Sequence, residues 1–131
     1  MKDIFITSTL KSEWNRSFNP KLCGKLEEKG VKCHLPQRDT RQDRPELDKF
    51  NQNIDGIQKS RKVLAIGANE SVNWGLEIGY AFGMGKKVIL LMDKDHIPPT
   101  MSLGMYQEIL AVEDLENIED YIDTLVTIIR K

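Results

Sequence analysis

The chain has 131 residues, of which 40% are hydrophobic and 30% charged, and a formal net charge of −1. That size and mix suit one globular domain around one core, spanning residues 1–131. A near-neutral balance argues against a nucleic-acid partner held through phosphates, which requires a basic face. The longest apolar run, Val88 to Met92, is far too short to span a bilayer. The opening "MKDIFITSTLKSEW" lacks the apolar core and cleavage site of a signal peptide, so a cytoplasmic protein is expected.

In chain order, "DIFIT" (3–7) is a short apolar run that predicts a buried strand. "NPKLCGKLEEKG" (19–30) predicts a helix, with Asn19 as cap, Pro20 at the first helical position and Gly30 past the end. "VKCHL" (31–35) follows as a second strand. The charge-dense "QRDTRQDR" (37–44) reads as a solvated loop; as a lid it would place Arg38 or Arg41 near a phosphate. In 44–60, Leu47, Phe50, Ile54 and Ile57 recur at helical spacing and give a helix with one apolar face. "KVLAIG" (62–67) is a continuous apolar run, the mark of a strand covered on both faces. A helix capped by Ser71 or Asn73 then runs to Met84-Gly85, followed by a strand at 87–93. A long loop (94–107), a short strand (108–112) and a closing helix (114–131) complete the chain. The buried side of that last helix is Leu115, Ile118, Ile122, Leu125 and Ile129.

Alternation of strands and helices predicts an α/β three-layer sandwich of the flavodoxin-like type. Its five-stranded parallel sheet would have order 2-1-3-4-5, with helices on both faces. The ligand crevice of such a sheet lies at the carboxyl ends of strands 1 and 3, where the order reverses. The loops there are residues 7–14 and 68–73.

One acid stands out at that crevice. In "ESVNWGLEIGYAFGMGKKVILLMD" (70–93), Glu77 sits among Trp74, Leu76, Ile78 and Tyr80 rather than among charges. Its place near a helix N-terminus favours the anionic form. Gly75, Gly79 and Gly83 share one helical face, each costing about 1 kcal/mol relative to alanine. Such a face allows close approach of another backbone. Neither cysteine nor histidine pairs show metal-ligand spacing, and Cys33-His34 is a poor nucleophile–base pair because adjacent strand residues face opposite ways.

"GLEIGYAFGMGKKVILL" resembles the signature of the nucleoside 2-deoxyribosyltransferase family, and the similarity extends over most of the chain. "IFITS" resembles the family's first strand and substrate loop, which contain Thr7 and Ser8. "FNQNIDGIQKSRKVLAI" resembles its helix–strand segment. "PPTMSLGMYQEI" resembles a late loop lent to a neighbouring subunit's active site, with Ser102 and Met105 in it. The resemblance implies that Glu77 attacks the anomeric carbon of a 2'-deoxynucleoside, releasing the base. A second base, or water, then takes the sugar. It implies no metal or redox cofactor and a homo-oligomer with shared active sites.

Two positions depart from the transferases. The aspartate that handles the base proton aligns with Asn53, which can hydrogen-bond a base but cannot donate a carboxylic-acid proton. A second aspartate aligns with Ser71, a serine as in the branch that cleaves 5'-monophosphates. There Ser71 and Ser102 would hold phosphate, although Ser71 also suits a plain helix cap and Ser102 a turn. The resemblance leaves nucleoside and monophosphate, transferase and hydrolase, both open. Trp14, in the loop after the first strand, is a candidate for stacking on the base, and Gly75 for close approach of substrate. "DIFITS", "IQKSRKVLAIG" and "SVNWGLE" are also similar to TIR domains, which share this topology, some of them cleaving NAD with a glutamate. A nucleotide-binding module without chemistry is the third possibility.

Overall fold

A computed structural model describes residues 1–131. Five parallel strands form one sheet in the order β2-β1-β3-β4-β5. They are β1 (Lys2–Thr7), β2 (Cys33–His34), β3 (Ser60–Ile66), β4 (Lys87–Asp93) and β5 (Glu108–Val112). The helices are α1 (Glu13–Glu28), the short α2 (Pro36–Asp39), α3 (Glu46–Gln58), α4 (Val72–Gly83) and α5 (Ile122–Arg130). Short 3₁₀ turns occupy Thr100–Gly104 and Ile118–Asp120. No helix is long and apolar enough to cross a membrane.

The period-2 alternation of strands sorts the core into two halves. Ile4, Ile6, Leu64, Ile66, Ile89 and Leu91 point to one face, where α1 and α5 cover them with Phe18, Leu22, Leu26, Leu125 and Ile129. Phe5, Val63, Ala65, Val88 and Leu90 point to the other, against Ile57 of α3 and Trp74, Ile78 and Ala81 of α4. Both faces are covered, so the central strands are apolar throughout. Thr7 continues the Phe5 side of β1 and therefore faces the α3/α4 layer; it is fully buried.

The strands, the sheet order and the end of α4 follow the sequence reading, with differences in four places. The first helix begins at Glu13, not Asn19, and Pro20 lies inside it. Proline deprives the carbonyl of Arg16 of its helical donor. The amide of Gln37 supplies one instead, Nε2 donating to the Arg16 oxygen at 2.9 Å. Asn19, expected as a cap, is buried in mid-helix and donates to Gln37 Oε1. The stripe of α3 is the second difference: Ile57 is buried, but Leu47 is 69% and Phe50 57% exposed. Third, the 37–44 loop contains α2, and Arg38 binds Glu27, Asp39 and the carbonyl of Cys33. Arg41 pairs with Asp43. Finally, the closing helix is a 3₁₀ turn followed by α5, although its five apolar residues are buried as expected.

Cys33 and His34 diverge as adjacent strand residues must. Cys33 is in the α1/α5 core, whereas His34 stacks on Phe5 with ring centroids 5.0 Å apart. Burial holds the His34 imidazole below its ordinary pKa. α3 seats on this ring through Gly56, where a Cβ would lie 2.8 Å from His34 Cε1 and 3.0 Å from Phe5 Cε2. Gly56→Ala is therefore expected to cost about 1–3 kcal/mol of stability through overpacking. The midpoint of urea unfolding measures it, and an unchanged midpoint would contradict this seating.

Candidate active site

A cleft of about 610 Å³ opens at the carboxyl ends of β1 and β3, where the strand order reverses. Its floor is the loop after β1, from Ser8 to Lys11. One wall is α4 with its approach, including Ser71, Trp74, Glu77 and Tyr80. The opposite wall is α3, with Lys49, Phe50, Asn53 and Ile54, backed by Thr40. Trp74, Glu77 and Tyr80 fall three residues apart, so helical periodicity aims them the same way.

Glu77 Oε1 accepts a hydrogen bond from Thr7 Oγ1 at 2.7 Å. Burial pushes the Glu77 carboxyl up to about 7, and the Thr7 hydroxyl opposes that rise by favouring the carboxylate. The helix-dipole expectation of a fully ionised acid is corrected here. Glu77 lies in the second turn of α4, beyond the first-turn amides, and loss of water outweighs the dipole. A carboxyl poised near neutrality beside a cleft can serve as nucleophile, electrostatic stabiliser or base.

Ser71 caps α4, its Oγ accepting from the Trp74 amide at 3.3 Å, and it also lines the cleft. The Ser8 hydroxyl accepts from Asn15 Nδ2 at 2.9 Å. Asn53 Oδ1 accepts from Thr40 Oγ1 at 2.6 Å. Thr7 does not line the cleft and reaches it only through Glu77, and four other expected residues lie outside the cleft of this chain. Trp14 stacks on Phe18, donates to Glu116 and lines a separate cleft of about 660 Å³ with Glu70, Asp93 and His96. Ser102 is buried and donates to the carbonyl of Pro99, and Met105 packs near the Trp74 side of the core. Gly75 faces outward, with nothing within 4 Å of the space its Cβ would fill; Gly79 and Gly83 are equally open. The close backbone approach expected of this glycine face is not made within the chain.

Thr40, Lys49, Phe50 and Tyr80 line the cleft without having been singled out from the sequence. The three-residue step from Glu77 to Tyr80 could have found one of them. Phe50 was visible only as part of the apolar stripe of α3.

The family model for "Nucleoside 2-deoxyribosyltransferase like" proteins matches residues 1–94, which include Glu77 and the whole cleft. The chain belongs to that family, one of glycosyl-transferring enzymes. A sequence search among curated proteins gives no match. Among solved structures, the chain is similar to a 2-deoxyribosyltransferase of Bacillus psychrosaccharolyticus, at TM-score 0.74 and 17% identity, over 94% of each chain. It is similar to a CMP N-glycosidase of Clostridium botulinum, at TM-score 0.70 and 22% identity, over 92% of this chain and 98% of the other. A TIR domain of a Toll-related receptor from Hydra magnipapillata matches at TM-score 0.72 and 16% identity, over 100% of both. At such identities these structures share the fold alone.

Because folding raises the Glu77 pKa from 4.5 to about 7, the folded state holds a proton that the unfolded state gives up. That contribution is full below pH 4.5 and is lost as pH rises through 7. Glu77→Gln keeps the neutral form throughout. It is expected to be more stable than the parent by about 1–3 kcal/mol at pH 8, with the difference vanishing toward pH 4.5. Parallel urea titrations at the two pH values check the sign.

Proposed function

We propose that residues 1–131 act as one deoxyribosyltransferase-like domain that cleaves the N-glycosidic bond of a deoxynucleoside or its 5'-monophosphate. The carboxylate of Glu77 attacks the anomeric carbon, the carbon–nitrogen bond breaks, and its electron pair leaves with the base. Water or a second base then displaces Glu77 from the sugar. The observation that carries this reading is the half-buried carboxyl of Glu77 in the cleft, hydrogen-bonded to Thr7 and poised near pH 7. Family membership supports the same reaction class.

Lys11, Lys49 and Ser71 on the cleft lining favour an anionic substrate group, although Lys49 also pairs with Glu46 at 2.7 Å. That charge pattern supports the monophosphate over the bare nucleoside. Incubation with dAMP, dGMP, dCMP and the matching nucleosides, with and without an acceptor base, tests the reading by release of free base. NAD in the same series separates it from the TIR-like alternative, in which nicotinamide is released instead. Glu77→Ala and Glu77→Gln are expected to reduce release at least a thousandfold. In the parent, kcat/KM rises with pH through about 7, because the nucleophile must be ionised. Thr7→Val removes the donor that favours the carboxylate and moves that limb to higher pH.

A homo-oligomer is part of the same proposal. Val72 (79% exposed) and Phe82 (50%) share the outer side of α4 with the open glycines, and Leu76 (64%) borders it from the edge of the cleft. Exposed apolar side chains beside bare backbone fit the α4 of a second copy. Sedimentation is expected to find a dimer or larger assembly for the parent and a monomer for Phe82→Glu.

A further inference from the structure

The two loops that meet at the switch point are joined by one side chain, Asn15, in the first turn of α1. It is fully buried. Its Nδ2 donates to the carbonyl of Ala68 at 3.1 Å and to Ser8 Oγ at 2.9 Å. Its Oδ1 accepts from Asn69 Nδ2 at 3.0 Å. Ser8 belongs to the loop after β1, Ala68 and Asn69 to the loop after β3. The next residue of the helix, Arg16, holds the first of these loops as well, donating to the carbonyl of Leu10 at 2.9 Å.

The chemistry of the partners fixes the direction of each bond. A backbone carbonyl only accepts, so the amide nitrogen of Asn15, not its oxygen, faces Ala68. The oxygen then faces Asn69, and the second N–H goes to Ser8. The Ser8 oxygen therefore accepts, and its own proton is not spent on Asn15. Ser8 makes no other side-chain hydrogen bond, and it lines the cleft. Thr7, the residue before it, bonds to Glu77. A hydroxyl proton is thus left over beside Glu77.

We propose that Asn15 is a positioning residue of the site. By donating to Ser8 it turns the Ser8 hydroxyl proton into the cleft, toward an accepting oxygen of the substrate's sugar or 5'-phosphate. This rests on Glu77 being the nucleophile, because that reading puts the sugar against Glu77. Asn15 does not line the cleft and acts only through Ser8. An amide suits the task because it carries donors and an acceptor together, whereas a carboxylate of the same shape has acceptors alone. In place of Asn15, a carboxylate would draw the Ser8 proton to itself and leave the Ala68 carbonyl without a donor.

The test is a double-mutant cycle of Asn15→Asp and Ser8→Ala, read as KM and kcat for base release from a deoxynucleoside and from its 5'-monophosphate. Each single variant is expected to raise KM about tenfold and to leave kcat within about twofold, since the bond to substrate is made in ground state and transition state alike. The double variant is expected to be no worse than either single one, because both changes remove the same donor. A rise with the monophosphate alone identifies a phosphate oxygen as the acceptor, and a rise with both substrates a sugar oxygen. KM effects that multiply in the double variant, as for an Asn15 that only braces the loops, overturn the proposal. So does an unchanged KM in either single variant. If Asn15→Asp shows no cooperative urea transition, Asn15→Leu, uncharged and of similar size, replaces it with the same expectations. If neither folds, the KM of Ser8→Ala decides. Absence of base release from every substrate overturns the Glu77 reading instead. The same cycle is then read as the Kd for dCMP by calorimetric titration. Losses of about tenfold that do not multiply support the role of Asn15. Losses that multiply, unchanged affinity or no binding by the parent reject it.

Discussion

The site depends on one contact, the hydrogen bond from Thr7 at the end of β1 to Glu77 on α4. It joins two tendencies that oppose each other. Burial removes water from the carboxyl and favours its neutral form, while the threonine hydroxyl favours the charged one. The balance leaves the acid close to half ionised at neutral pH. Thr7 can act this way because of its register: β1 alternates faces, and Thr7 falls on the Phe5 side, opposite α4. A one-residue slip would turn that hydroxyl toward α1 and α5 and leave Glu77 without its partner.

Much of the architecture was legible in the chain because strand alternation and continuous apolar runs are direct records of burial. Glu77 was legible for a related reason, as an acid with apolar neighbours at a predicted switch point. Its protonation was not, because the dipole is a local property whereas desolvation depends on Thr7, Trp74 and the distant α3 closing around it. The α1 boundary failed on tertiary grounds as well. Pro20 reads locally as a helix start, but Gln37, seventeen residues on, satisfies the carbonyl that proline orphans. The α3 stripe shows the limit of periodicity. Spacing identifies an apolar face but not what it faces, and here Phe50 and Ile54 line a cleft while Ile57 alone reaches the core.

α4 serves three surroundings at once. Ile78 and Ala81 seal the sheet, Glu77 and Tyr80 look into the cleft, and Val72, Gly75, Gly79 and Phe82 are left to the outside. A helix with only two environments could be built from ordinary amphipathic sequence. The third, bare and apolar, accounts for the glycines, whose helical cost nothing inside the chain offsets.

Gly56 sits one turn beyond Asn53 on α3, against the Phe5–His34 stack. The missing methyl there sets how low α3 rides over the sheet, and so how far its amide stands from the acid across the gap. It acts as a spacer of zero thickness. Any side chain at that position would lift the whole helix and widen the jaw between the two walls. Room in the cleft for a bulkier group would come at the expense of contact with a small one, with Glu77 itself untouched.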